Sequence, residues 1–204
     1  MKPPTVFLGE MTSPEVEAFL REHNTVIVPV GSTEQHGPHG PLLTDALVPE
    51  FDHEMATTRR VLDRVPEAQF TWKPHEKSMS LGELSNHLAQ IPFWCTATLR
   101  APSLDLATID SRAKNPDSHQ MLLQGFDERV TAARALLAHT SDAELMAPWT
   151  LKDGDEEFFT MPRMMVLRSF VLNHTIHHRG QLTVYLRLNN VPVPPIYGPT
   201  ADEQ

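Results

Sequence analysis

"NHTIHHRGQLTVYLRLNN", residues 173–190, is the stretch on which the fold turns. Continued backwards through "PRMMVLRSFVL", it places Leu167, Val171, His174, His178, Leu182 and Tyr185 on one helical stripe. Such a stripe is the buried face of a long helix, yet two of its positions are histidine where a core helix would carry leucine. Residues four apart lie on one face, about 6 Å from each other along the axis. His174 and His178 therefore aim their imidazoles at one point, and His-x-x-x-His is a metal-chelating spacing. His177 is turned about 100° away from His178 and reads as a surface or supporting residue.

Three more helical segments precede this one. "LVPEFDHEMATTRRVLDRV" lines up Phe51, Met55, Thr58, Leu62 and Val65. "LGELSNHLAQIPFWCTATL" lines up Leu84, Leu88, Ile91 and Cys95, and Ser80 with Glu83 three residues on is a capping box at its start. "DSHQMLLQGFDERVTAARALLAH" lines up Leu122, Phe126, Val130, Ala133 and Leu137. "TWKPHEKSM" reads as a loop and "APSLDLATIDSRAKNP" as a polar link. "SDAELMAPWTLKDGDEEFFTM" reads as a loop with one helical turn and a hairpin-like turn at Asp153-Gly154. The proline-rich "VPVPPIYGPTADEQ" is expected to run extended along the helices.

The expectation is an all-α four-helix bundle over residues 46–204. His87 neighbours Leu84, Leu88 and Ile91 on the inner side of the second helix and is the best third ligand, because bundles build metal sites from inward side chains on facing helices. Three neutral imidazoles leave coordination positions open, as catalytic metal sites do. Nitrogen donors suit zinc or nickel, and such an ion lowers the pKa of a bound water or thiol. His23, His53, His75, His119 and His139 read as ordinary surface residues, and Cys95 as a packed core cysteine.

The first 45 residues differ in character. Ser13 and Pro14 open a short helix, and "TVIVPVG" is a β-branched run whose Pro29 removes a ladder donor. After it comes "STEQHGPHGPLLTD", with possible ligands at Glu34, His36 and Asp45.

The formal net charge of −9, from 17 Lys and Arg against 26 Asp and Glu, offers no basic face to phosphates, so neither nucleic acid nor a membrane surface is an expected partner. No apolar run reaches the ~18 residues of a membrane span. One cysteine and an N-terminus without signal-peptide character point to the cytoplasm.

"FDHEMATTRRVLDRVPE", "WKPHEKSMSLGELSNHLAQIP", "NHTIHHRGQLTVYLRLNNVPVP" and "YGPTADE" together resemble the DinB/YfiT-like family of metalloenzymes over residues 46–203. The resemblance implies an up-down-down-up four-helix bundle, a homodimer, and a divalent metal held by His87, His174 and His178. The better understood relatives transfer or isomerise with low-molecular-weight thiols such as bacillithiol or mycothiol. A metal-dependent enzyme on a small-molecule substrate, of the thiol S-transferase type, is thus the expected function. The alternatives are a metal-dependent amide or ester hydrolase and a non-catalytic metal- or ligand-binding stress protein.

"TVIVPVGSTEQHGPHGPLLTD" resembles the start of the creatininase (creatinine amidohydrolase) family, in which the matching Glu34, His36 and Asp45 belong to a two-metal hydrolytic site. Gly40 stands where that family more often has leucine. The reading expects residues 1–45 to be an incomplete fragment, because a strand and a loop cannot hold two-metal geometry without the rest of a sheet.

Overall fold

The computed structural model describes residues 43–109 and 114–203. Helices α1 (Leu43–Leu62), α2 (Leu81–Gln90), α3 (Pro92–Arg100), α4 (His119–Leu137) and α5 (Asp142–Met146) are followed by a helical rod. That rod comprises α6 (Arg163–Val166), a π-helical segment (Leu167–Asn173) and α7 (His174–Leu188). The described part is helix-rich, and every stripe position expected on the first three helical segments is buried except the half-buried Val130.

α1 begins at Leu43, before the boundary expected at residue 46, so Asp45 lies in its exposed first turn. There a carboxylate faces the positive end of the helix dipole. Two groups of this turn are held from elsewhere in the chain: the Leu43 amide donates to Asp142 Oδ1 at 2.8 Å, and the Thr44 hydroxyl donates to the Thr140 carbonyl at 3.2 Å.

The expected second helix is two helices on one stripe. Pro92 has no amide hydrogen to continue the α2 ladder, which ends there. Ile91 keeps helical angles (φ −54°, ψ −39°), so Leu84, Leu88, Ile91 and Cys95 still face inward, each no more than 1% exposed. The Ser80–Glu83 capping box is formed in full. Gly82, in the first turn, is required by close approach: a Cβ there would stand 2.5 Å from Asn115 Oδ1 and 2.9 Å from the Phe70 Cβ.

α1 packs on α4 and α7, and α2 packs on the same two helices. The shared core runs through Phe51, Leu62, Leu88, Phe126, Leu137, Leu182 and Leu186. α7 ends in a Schellman motif: Asn190 takes φ +56°, Val191 N–H donates to the Leu186 carbonyl and Asn190 N–H to the Arg187 carbonyl.

The all-α expectation left out a small sheet. β1 (Ser103–Asp105) pairs parallel with β2 (Pro148–Asp153), which pairs antiparallel with β3 (Glu156–Pro162). The expected helical turn is α5, and the expected hairpin turn is there, with Gly154 at φ +60°. β2 alternates: Trp149 and Leu151 point inward and, with Val166, form a second core against Trp94, Phe159 and Phe170.

Candidate metal centre

His174 opens α7 and His178 lies one turn further on, while His87 comes from α2 packed against it. One nitrogen from each of the three lies within 4.8 Å of the others, and among the described residues no other such cluster of His, Cys, Asp or Glu forms. His87 Nε2 and His174 Nε2 are 3.2 Å apart, and the ring centroids stand 4.6–5.0 Å from one another. Two nitrogens each about 2.0–2.1 Å from a tetrahedral ion would be separated by much the same distance. The donor set and its spacing fit a divalent ion.

The protein tunes these rings towards ligation. His178 Nδ1–H donates to Gln181 Oε1 at 2.7 Å, which leaves the lone pair on Nε2. The His174 ring bonds the backbone of Phe170, while the amide of His174 goes instead to the Val171 carbonyl within the π segment. Burial, followed by the charges of its two neighbours, lowers the His87 pKa from 6.5 to about 4. Burial also lowers His174 and His178, the latter partly offset by the Gln181 bond. All three are neutral near pH 7, with one of the His87 and His174 Nε2 atoms donating to the other.

The His87 shift sets a pH dependence. Between pH 6.5 and 4 the unfolded chain binds a proton at His87 that the native state does not, so stability present above 6.5 is lost as pH falls towards 4. The metal-free protein is expected to melt at progressively lower temperature across this window. A His87→Gln variant should show the shallower fall, and equal slopes would contradict the assignment.

Replacing Gln181 by leucine is expected to weaken metal binding about 10–100-fold, as loss of an outer-shell partner does. A competitive chelator titration measures this, and an unchanged affinity would mean that the Gln181 bond does not orient His178.

Of the second candidate set, Glu34 and His36 lie outside the described residues. Asp45 is exposed at the start of α1 and takes no part in the histidine cluster. His53, His75, His139 and His177 are exposed; His119, expected at the surface, is half-buried with its ring 3.0 Å from the Leu62 carbonyl. Cys95 is buried and its thiol is pushed up to about 12, which makes it inert near neutral pH.

The sequence reading missed two features beside the site. One is the π segment, where Ser169, Phe170 and Asn173 line, with His174 and His177, an open cleft of about 320 Å³. The other is a buried charged network next along the chain from His178. Arg179, 1% exposed, meets Glu54 Oε2 at 2.7 Å, Thr58 Oγ1 at 3.2 Å and the Tyr197 hydroxyl at 2.7 Å. Tyr197 in turn donates to Glu54 at 2.9 Å. A signal existed: Thr175, Arg179, Leu182 and Leu186 form a second buried stripe on α7.

Among known proteins, the family model "Creatininase: Creatinine amidohydrolase" matches residues 9–105. That match passes Asp45 and runs across α1 to α3. The chain is 35% identical over 65 residues to the mycofactocin precursor peptide peptidase of Mycobacterium tuberculosis, covering 32% of this chain and only 26% of the peptidase. With the Bacillus subtilis protein YrdA it shares 24% identity over 166 residues, 78% of this chain and 90% of YrdA. The crystal structure of a DinB-like protein from Bacillus cereus superposes with a TM-score of 0.58 at 22% identity, covering 76% of this chain and 98% of that one. The chain thus combines a segment of creatininase-like sequence at residues 9–105 with the fold of the DinB-like proteins.

Proposed function

We propose that the protein is a divalent-metal-dependent enzyme acting on small molecules, with His87, His174 and His178 as the ligands and zinc or nickel as the ion. The observation that carries this reading is the convergence of the His87, His174 and His178 imidazoles, of which His174 also lines a cleft about 320 Å³ in volume. An ion held there would act as a Lewis acid and favour the deprotonated form of a water or thiol.

Thiol-dependent S-transfer is the preferred reaction. Ser169, Phe170, Asn173, His174 and His177 line the cleft, and no carboxylate stands among them to act as general base. A thiol, with an ordinary pKa of about 8.5, needs much less help to ionise than water does. The sulfur would form a bond to an electrophilic carbon while the leaving group departs with the electron pair. Hydrolysis of an amide or ester is the second reading, favoured by the creatininase match. A non-catalytic binding protein is the third.

The reading extends to the chain as a whole. The long helices are proposed to form an up-down-down-up four-helix bundle from residue 46 onward, with residues 1–45 a creatininase-like fragment. A homodimer in the cytoplasm is proposed as the working form, free of nucleic acid and membrane. Among the described residues no helix is long and apolar enough to cross a membrane.

The test is product analysis of metal-loaded protein given an electrophile with and without a low-molecular-weight thiol. A thioether that forms only with thiol supports transfer. Cleavage without thiol supports hydrolysis, and no turnover with bound metal supports the binding protein.

A further inference from the structure

The cleft beside the histidines has a chemistry of its own. Its wall is the Phe170 ring, which stacks on Trp94 at 5.9 Å and on Phe159 at 5.1 Å, with planes 20° and 23° from parallel. Phe159 meets the fully buried Trp149 at 6.3 Å, so Phe170 is the member of an aromatic row, anchored in the second core, that reaches the cleft. Ser169 and Asn173 are exposed at the cleft, and among the described residues their side chains make no hydrogen bond. Among the described residues, no Asp, Glu, Lys or Arg lines it. A fixed aromatic surface and exposed amide and hydroxyl groups, with no acidic, lysine or arginine side chain, select a flat, uncharged, conjugated group with a polar substituent.

We propose that this cleft is the acceptor subsite and takes a planar conjugated ring bearing a nitro or carbonyl oxygen. The ring packs on Phe170, the Asn173 amide donates to the oxygen, and the reacting carbon lies toward His174. This deepens the metal-dependent reading and rests on it only for the reaction. The packing itself needs no ion.

The test uses the full chain, with zinc and without, and two probes of similar size that both carry the nitro group: 4-nitrobenzyl alcohol and the saturated (4-nitrocyclohexyl)methanol. Affinities come from calorimetry or ligand-observed magnetic resonance. The aromatic probe is expected to bind about three- to tenfold more tightly, the range of aromatic pairing. Phe170→Leu should erase that preference, Phe170→Tyr should keep it, and Asn173→Ala should weaken both nitro probes while leaving the preference between them. Asn173 is exposed, so its variant reads the subsite even if Phe170 variants fold poorly. Equal binding of the two probes, no saturable binding of either, or a preference that survives Phe170→Leu would overturn the proposal. Zinc content measured in parallel keeps the two ideas apart. A ring preference without bound zinc sinks the metal reading alone, and bound zinc without a ring preference sinks the subsite alone.

Discussion

Arg179→Ala is expected to cost about 3–5 kcal/mol of stability, because removing one partner of a buried ion pair leaves the other charge uncompensated. The stranded group is the Glu54 carboxylate, only 5% exposed and otherwise held by the Tyr197 hydroxyl. For a chain of this size each kcal/mol shifts the melting point by about 2–4 °C, so a fall of about 10 °C is the expected readout in calorimetry. Removing both charges should cost far less: a double variant, Glu54→Leu with Arg179→Met, is expected to melt close to the parent. A single variant that melts within about 2 °C of the parent would show that the network carries little of the fold.

Alanine at His87, His174 or His178 is expected to weaken metal binding more than ~100-fold, beyond the effect of losing a supporting partner. Each change leaves two nitrogens where three converge, and among the described residues His87 is the sole donor from the α2 side. Chelator competition on the three single variants measures this beside a Glu34→Ala/His36→Ala/Asp45→Ala variant. The histidine changes should abolish tight binding and the triple change should leave it intact. Metal lost from the triple variant would bring the N-terminal stretch into the site.

The helices and the histidine cluster were legible because both depend on periodicity within one segment. An i, i+4 pair needs only a regular helix, and the inner stripe of α2 then offers His87 as the facing ligand. The sheet was not legible in the same way. β1 has three residues, and it pairs with β2 across the whole of α4 and α5, so no local pattern announces the partner. The Trp149–Leu151 alternation was a strand signal, but a brief one beside the hairpin turn.

Arg179 was missed for another reason. A single stripe on the last helix, running through His174 and His178, assumes one buried face, whereas α7 packs on both α1 and α2 and buries two. An arginine on the second face reads as solvated unless its partners are known, and those lie at Glu54 and Tyr197. The π segment has no sequence signature of comparable strength. The segment packs on α3, and α6 just before it packs on the sheet, contacts that its own sequence does not announce.

The tail also bears on the order in which the protein is made. Tyr197 reaches back across 143 positions to Glu54, and Asp202 and Glu203 hold Arg187 and Arg64. Arg179 precedes Tyr197 by only 18 residues, so both are still within the ribosomal exit tunnel while the tail is being added, and neither reaches Glu54 until it has emerged. Core assembly therefore finishes only after translation has passed Glu203, and a chain stalled before Tyr197 would present quality-control proteases with a loosened junction between α1 and α7.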